Sequence, residues 1–115
     1  MADGRTRPGE TAELRRLRRR IDALDRKLVA LLNERATVAR EAGRAKTAAG
    51  RTAIRDIERE REVLLRVTIA NEGPMPQADL LALYRRLFAA TRALEARDRQ
   101  RDREQARGER GDEPT

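Results

Sequence analysis

The sequence contains no cysteine, no histidine and no tryptophan, and its only aromatic side chains are one tyrosine and one phenylalanine. Without cysteine the chain can form no disulfide framework and no reactive thiolate. Without histidine as well, we expect no metal centre and no His-based nucleophile relay. No apolar run approaches the ~20 residues of a membrane span, and the N-terminus lacks the apolar core of a signal peptide. We therefore expect a cytoplasmic protein of one small domain with no membrane partner.

The chain is strongly basic, with a net charge of +7, and all of the excess lies between residues 14 and 96. A basic surface of this kind can bind the phosphate backbone of a nucleic acid. The scarcity of aromatic residues, however, argues against a surface on which bases stack. Arginines that interrupt an apolar stripe favour a small polyanionic ligand, so we expect no nucleic-acid partner.

A long first helix is predicted from about Thr11 to Lys46. Apolar residues recur every three or four positions from Leu14 to Leu31 and form one stripe along the helix. Arg35 occupies the next position of that stripe, and Lys46 lies eleven residues later on the same face. A helix of this length spans roughly 50 Å, too far for a small single domain to cover, so we expect it to pack against a partner chain.

The rest of the chain predicts two further helices and no strand. Residues 1–11 are polar and are predicted to form a disordered arm, and Gly50 is expected to end the first helix. A second helix is predicted from Ile54 or Asp56 to Ala70, and a third from about Gln77. The functional domain is predicted to span residues 12–96. Residues 97–115 alternate arginines with acids and are predicted to extend the third helix by a turn or two and otherwise to be disordered.

Each predicted helix carries polar residues at positions where its stripe calls for apolar ones. Glu60 lies among the apolar residues of the second helix, and a carboxylate there is costly unless it is paired or exposed. An internal ion pair with Arg59 or Arg35 would explain Glu60 alone. The recurrence on all three helices favours a shared polar cavity that binds a dicarboxylate with a hydroxyl and an ether oxygen. The residues concerned are Arg35, Lys46, Arg59, Glu60, Thr91 and Glu95, with Asp56 nearby.

Five segments together resemble the all-helical bacterial-type chorismate mutases. They are Leu17–Asp25, Leu31–Arg35, Gly43–Lys46, Ile54–Arg61 and Thr91–Glu95. The resemblance covers about residues 12–96. It implies an all-α fold in which two three-helix protomers with long first helices form an intertwined homodimer. It also implies a cofactor-free, metal-free Claisen rearrangement of chorismate to prephenate in aromatic amino acid biosynthesis, achieved by conformational restraint and electrostatic stabilisation of the transition state.

The resemblance also implies roles for individual residues. Lys46 would donate to the ether oxygen, Glu60 would accept from the ring hydroxyl, and Glu95 stands where many bacterial members carry glutamine. Substrate binding would fall to five further residues, namely Arg18, Arg35, Asp56, Arg59 and Thr91. In that scheme Arg18 reaches into the partner's pocket. Its position agrees, since Arg18 lies roughly 100° out of phase with Arg35 on the same helix.

Other functions are compatible with parts of this pattern. An isochorismate-pyruvate lyase and a 4-amino-4-deoxychorismate mutase would use the same scaffold. A non-enzymatic coiled-coil interaction module would explain the apolar spacing, but not the charged residues at inward positions.

Overall fold

The computed structural model describes residues 8–111. Within that range the chain forms three α-helices and no strand: α1 (Ala12–Ala48), α2 (Ile57–Ala70) and α3 (Gln77–Gly111). The all-α class and the long first helix are thereby confirmed. Residues 1–7 of the predicted arm and 112–115 of the predicted tail lie outside the described residues. No helix in the described part of the chain is both long and apolar enough to cross a membrane.

The described residues divide into two compact units, with the boundary between Thr37 and Val38, inside α1. In the N-terminal unit the Thr11 hydroxyl accepts a hydrogen bond from the Leu14 amide at 3.1 Å, so Thr11 caps α1 as predicted. The apolar stripe of this unit is exposed to solvent along its length. Its exposed members include Leu17, Ile21, Leu24, Leu28 and Leu31.

The C-terminal unit contains the end of α1 together with α2 and α3. A Schellman motif ends α1 at the predicted position: the Gly50 amide donates to the Thr47 carbonyl and the Arg51 amide to the Lys46 carbonyl. Gly50 has a φ of 82°, which favours glycine. The motif places Lys46 in the last turn of α1.

Helix α2 packs against α3. Tyr84 and Phe88 of α3 meet edge to face with their ring centroids 6.3 Å apart. Phe88 is the one buried apolar side chain among residues 8–111. The C-terminal unit therefore buries little apolar surface by itself.

Helix α3 continues to Gly111, further than the turn or two beyond residue 97 that the charge alternation predicts. The structure thus has helix over residues 97–111, where the sequence predicts a largely disordered tail. Asp98 is buried against Arg40 of α1, and Arg99 donates to the backbone carbonyl of Thr52. These contacts between elements hold the first turn of the extension, and beyond it the Gln100 amide donates to the Glu104 carboxylate one turn later at 3.4 Å.

Candidate active site

Lys46 and Glu95 come together in the C-terminal unit, from the end of α1 and the middle of α3. The Lys46 Nζ lies 3.7 Å from Glu95 Oε2, and the Lys46 side chain keeps 20% of its surface exposed. Glu95 itself is buried. Two of the three residues predicted to be catalytic are thus neighbours, although 49 positions separate them in the sequence.

Gly43 makes the close approach of Glu95 possible. A Cβ atom built on Gly43 would lie 3.2 Å from both Cγ and Cδ of Glu95, closer than an ordinary van der Waals contact. Gly43 is one of the few buried residues of the C-terminal unit. The sequence match over Gly43–Lys46 contains this glycine, but nothing in the sequence indicates that it faces Glu95.

Glu95 Oε2 is buried and has no hydrogen-bond partner among residues 8–111. Its distance from the Lys46 ammonium is an ion-pair distance and is too long for a hydrogen bond. Buried polar atoms in folded proteins nearly always have a partner. An orphaned carboxyl oxygen beside an ammonium is therefore a candidate position for a hydrogen bond to a ligand.

Glu60 is held by two arginines other than Arg59. Its Oε2 accepts from Arg92 Nη1 at 2.6 Å, and its Oε1 lies 3.6 Å from Arg55 Nε. Arg59 cannot face its sequence neighbour on a helix and pairs with Glu62 at 3.3 Å instead. The expectation of Arg59 as the structural partner of Glu60 is wrong, and Arg92 is a contributor that the sequence reasoning missed.

Asp56 is the N-cap of α2. Its Oδ1 accepts from the Arg59 backbone amide at 3.0 Å, and its Oδ2 accepts from Arg51 Nη2 at 3.2 Å. The backbone hydrogen bond from Arg59 has the largest effect and holds the pKa of Asp56 below its usual value. Burial, the next largest effect, opposes it, while the hydrogen bond and charge of Arg51 and the charge of Lys46 add to the lowering. Asp56 therefore stabilises the N-terminus of α2, the helix on which Glu60 lies.

The remaining predicted binding residues are placed as follows. Thr91 of α3 is half-buried, and its hydroxyl donates to the Leu87 carbonyl at 3.0 Å, which leaves its oxygen available as an acceptor. The guanidinium of Arg59 is exposed beside Glu62. Arg18 and Arg35 lie on α1 in the N-terminal unit, where Arg18 pairs with Glu10 at 2.8 Å. Their roles toward a substrate stay predictions.

A second ion pair joins α1 to α3 one turn away from Glu95. Arg40 donates through Nε to Asp98 Oδ2 at 3.0 Å and through Nη2 to Oδ1 at 2.8 Å, a bidentate pair. The hydrogen bonds from Arg40 lower the pKa of Asp98, and those bonds and the negative charge of Asp98 raise the pKa of Arg40. Sequence reasoning missed this pair because Asp98 lies in the segment assigned to the tail.

The pair lines a cavity of about 260 Å³ next to Glu95. Its charged lining consists of three arginines and three acids, namely Arg40, Arg44, Arg99, Glu95, Asp98 and Asp102. Because the two signs are equal in number, the cavity does not have the positive excess that a dianionic ligand requires.

Three comparisons with known proteins agree with one another. A family model described as chorismate mutase type II matches residues 17–96. The bifunctional chorismate mutase/prephenate dehydratase of Stutzerimonas stutzeri is 37% identical over 90 residues, which are 75% of this chain and 25% of the relative. The corresponding protein of Aquifex aeolicus is 38% identical over 87 residues, 72% of this chain and 24% of the relative.

The chain thus spans about a quarter of the length of these curated relatives. Among solved structures, Form II of a chorismate mutase from Thermus thermophilus superposes with a TM-score of 0.70 at 34% identity, covering 74% of this chain and 96% of that one. Form I of the chorismate mutase from the same organism gives a TM-score of 0.65 at 33% identity, covering 69% of this chain and 98% of that one.

Proposed function

We propose that this chain, which belongs to the chorismate mutase type II family, catalyses the rearrangement of chorismate to prephenate. The proximity of Lys46 and Glu95 is the observation that supports the proposal at the level of individual residues. An ammonium and a buried carboxyl oxygen without a hydrogen-bond partner among the described residues lie 3.7 Å apart, on two different helices. An ether oxygen accepts a hydrogen bond from the ammonium, and from the carboxyl group only when that group is protonated.

The rearrangement breaks the ether C–O bond and forms a C–C bond in a single step. It needs no nucleophile, so a chain without cysteine or histidine can catalyse it. The enzyme has to hold the substrate in its reactive chair form and to stabilise the charge that develops in the transition state. Negative charge builds on the ether oxygen as its bond to carbon lengthens. We propose that the Lys46 ammonium stabilises that charge, with a protonated Glu95 as a second donor.

Glu60 is proposed to accept a hydrogen bond from the ring hydroxyl of the substrate. Arg92 already binds one of its oxygens, which fixes the carboxylate in one orientation. Asp56 caps the helix that carries Glu60 and supports that placement. Arg35 and Arg59 are proposed to bind the substrate carboxylates, and Thr91 to contribute its hydroxyl oxygen.

We further propose that the enzyme is an intertwined homodimer with shared sites, in which the partner subunit's Arg18 completes each pocket. The exposed apolar stripe of α1 supports this assembly, since five large apolar side chains on it are at least 39% exposed. A contiguous apolar surface of this kind is typical of an interaction surface. The single buried apolar side chain among the described residues supports it as well.

The test is the loss of chorismate absorbance on addition of the purified protein, with the product identified by mass and by its conversion in acid. Formation of prephenate is expected. Lys46→Ala should lower kcat by roughly 100- to 1000-fold and alter KM less, because Lys46 acts mainly in the transition state. Lys27→Ala makes the same change at an exposed position of α1 and should leave turnover unchanged.

Two results would overturn the proposal. Turnover of isochorismate with release of pyruvate, or of the 4-amino analogue, in preference to chorismate would replace the proposed activity. Equal effects of Lys46→Ala and Lys27→Ala on kcat would remove Lys46 from the reaction.

A further inference from the structure

We propose that Arg40 and Asp98 are positioning residues, whose ion pair sets the register of α1 against α3 and thereby holds the Glu95 carboxyl beside Lys46. The inference rests on the proposed function, since Glu95 and Lys46 act on the substrate there. It assigns a role to Asp98, which lies two residues beyond the segment matched by the family model.

The contacts follow one another at intervals of one helical turn. On α1, Arg40, Gly43 and Lys46 are spaced by three residues and share a face. On α3, Glu95 and Asp98 have the same spacing. Arg40 binds Asp98, Gly43 lies against Glu95, and the Lys46 Nζ lies 3.7 Å from Glu95 Oε2. The two helix segments run antiparallel over these contacts.

The Arg40–Asp98 pair is the strong member of this series. It is bidentate, with donor–acceptor distances of 3.0 and 2.8 Å, and Asp98 is 7% exposed. A planar guanidinium fork on a carboxylate restricts both distance and angle. The Lys46–Glu95 contact, at 3.7 Å and without a hydrogen bond, imposes no such restriction. The geometry at Glu95 is therefore set one turn away, by Arg40 and Asp98.

A rotation of α3 by a fraction of a turn would move the Glu95 carboxyl away from Gly43 and Lys46. The orphaned Oε2 would then lie elsewhere, although both catalytic side chains would still be present. Misplacement of a reacting group by about 1 Å can cost about 100-fold in rate. We therefore expect loss of the pair to lower kcat rather than substrate affinity.

The experiment is a double-mutant cycle between Asp98 and Glu95 in the full-length chain. Asp98→Asn keeps the shape of the side chain but replaces one acceptor with a donor that faces Arg40. It should lower kcat by roughly 10- to 100-fold and change KM by less. In a Glu95→Ala background the same substitution should cause almost no further loss, because no carboxyl remains to be positioned.

Asp102→Asn is the matched control, since it makes the same change one turn later on α3, at an exposed residue that lines the same cavity. It should leave kcat unchanged. Circular dichroism and gel filtration establish that each variant keeps its helices and its assembly. If Asp98→Asn does not fold, Asp98→Glu serves in its place, because it keeps the charge and moves the carboxylate by one methylene.

Two outcomes overturn the inference: an equal loss of kcat with and without Glu95, or a kcat for the Asp98 variant that matches that of the Asp102 variant. Both leave the proposed function intact as long as the wild-type protein converts chorismate. A wild-type protein that is inactive on chorismate overturns the proposed function itself.

Discussion

At the scale of single residues, the absence of a side chain at Gly43 affects where the charged side chain of Glu95 can lie. A Cβ at position 43 would lie 3.2 Å from Glu95 Cγ and Cδ, so the Glu95 side chain would have to shift by a few tenths of an ångström. Glycine in a helix interior costs roughly 0.5–1 kcal/mol relative to alanine. At Gly43 that cost is offset by what the missing side chain permits, namely a buried carboxyl within ion-pair distance of Lys46.

Gly43→Ala should therefore lower activity although alanine is the better helix former. The new methyl group lies 3.2 Å from Glu95 Cγ and Cδ and must displace that side chain. We expect kcat to fall by about tenfold or more, measured by steady-state turnover of chorismate. Gly108→Ala is the control, because a Cβ there contacts nothing within 4 Å; it should leave kcat unchanged. Full activity of Gly43→Ala would show that Glu95 need not lie where the structure has it.

The substitution Glu95→Gln tests the chemical role of Glu95. A carboxyl group donates a hydrogen bond only when it is protonated, and in its ionised form it repels negative charge on the ether oxygen. Glutamine has nearly the same shape and an uncharged NH₂ donor, so Glu95→Gln should keep kcat within about tenfold of the wild type, whereas Glu95→Ala should lower it by about 100-fold. Equal losses of kcat in the two variants, measured by steady-state turnover of chorismate, would contradict this role.

Single residues also mark the limit of what could be predicted at this scale. Lys46 and Glu95 could be named because each interrupts an apolar stripe. Arg92 and Arg40 could not, since an arginine on a solvated helix face looks the same in sequence whether or not a carboxylate lies opposite. The burial of Asp98 could not be predicted either, because its neighbours alternate in charge, as is typical of a solvated tail.

At the scale of the helices, the start and end of α1 and the start of α2 could be predicted more reliably than the length of α3. Thr11, Asp56 and Gly50 each act through local chemistry that the sequence contains in full, and the structure has α1 and α2 ending or beginning at these residues. The extension of α3 depends instead on contacts with α1 and with the connection after it. Such contacts join residues 47 to 58 positions apart and leave no periodic signal.

The cap at Asp56 predicts an acid-sensitive element. Because the pKa of Asp56 is lowered in the folded chain, chiefly by the Arg59 backbone amide, its contribution to stability is complete above its ordinary pKa. That contribution is lost as the pH falls through the lower, folded value. Asparagine caps helices equally well without titrating, so Asp56→Asn should show a smaller drop in melting temperature between pH 7 and pH 3 than the wild type.

Circular dichroism at 222 nm, recorded as a melt at each pH, measures this difference. Asp22→Asn removes the same charge from an exposed position of α1 and serves as the control. Identical pH dependence of the Asp56 and Asp22 variants would contradict the assignment of acid sensitivity to the cap.

At the scale of the whole molecule, the proposed sharing of sites between two subunits predicts complementation between inactive variants. Arg18→Ala and Arg35→Ala should each lose nearly all activity, because each pocket would lack one of its carboxylate-binding arginines. In a mixed dimer one site carries both substitutions and the other carries neither. Unfolding and refolding the two variants together should therefore restore up to about a quarter of wild-type activity per total protein, if chains pair at random. Mixed dimers without activity would place Arg18 in the pocket of its own chain, or in no pocket.

The exposed stripe of α1 also bears on how the chain folds. A polypeptide that buries Phe88 as its one apolar side chain between residues 8 and 111 gains little hydrophobic free energy from collapsing alone. In the proposed homodimer most of that gain becomes available only when a second chain binds, so we expect two molecules to collide before either has a core. Refolding is then predicted to be a second-order process, whose half-time lengthens as the protein is diluted, whereas dissociative unfolding is predicted to be first order and to keep its rate at any concentration.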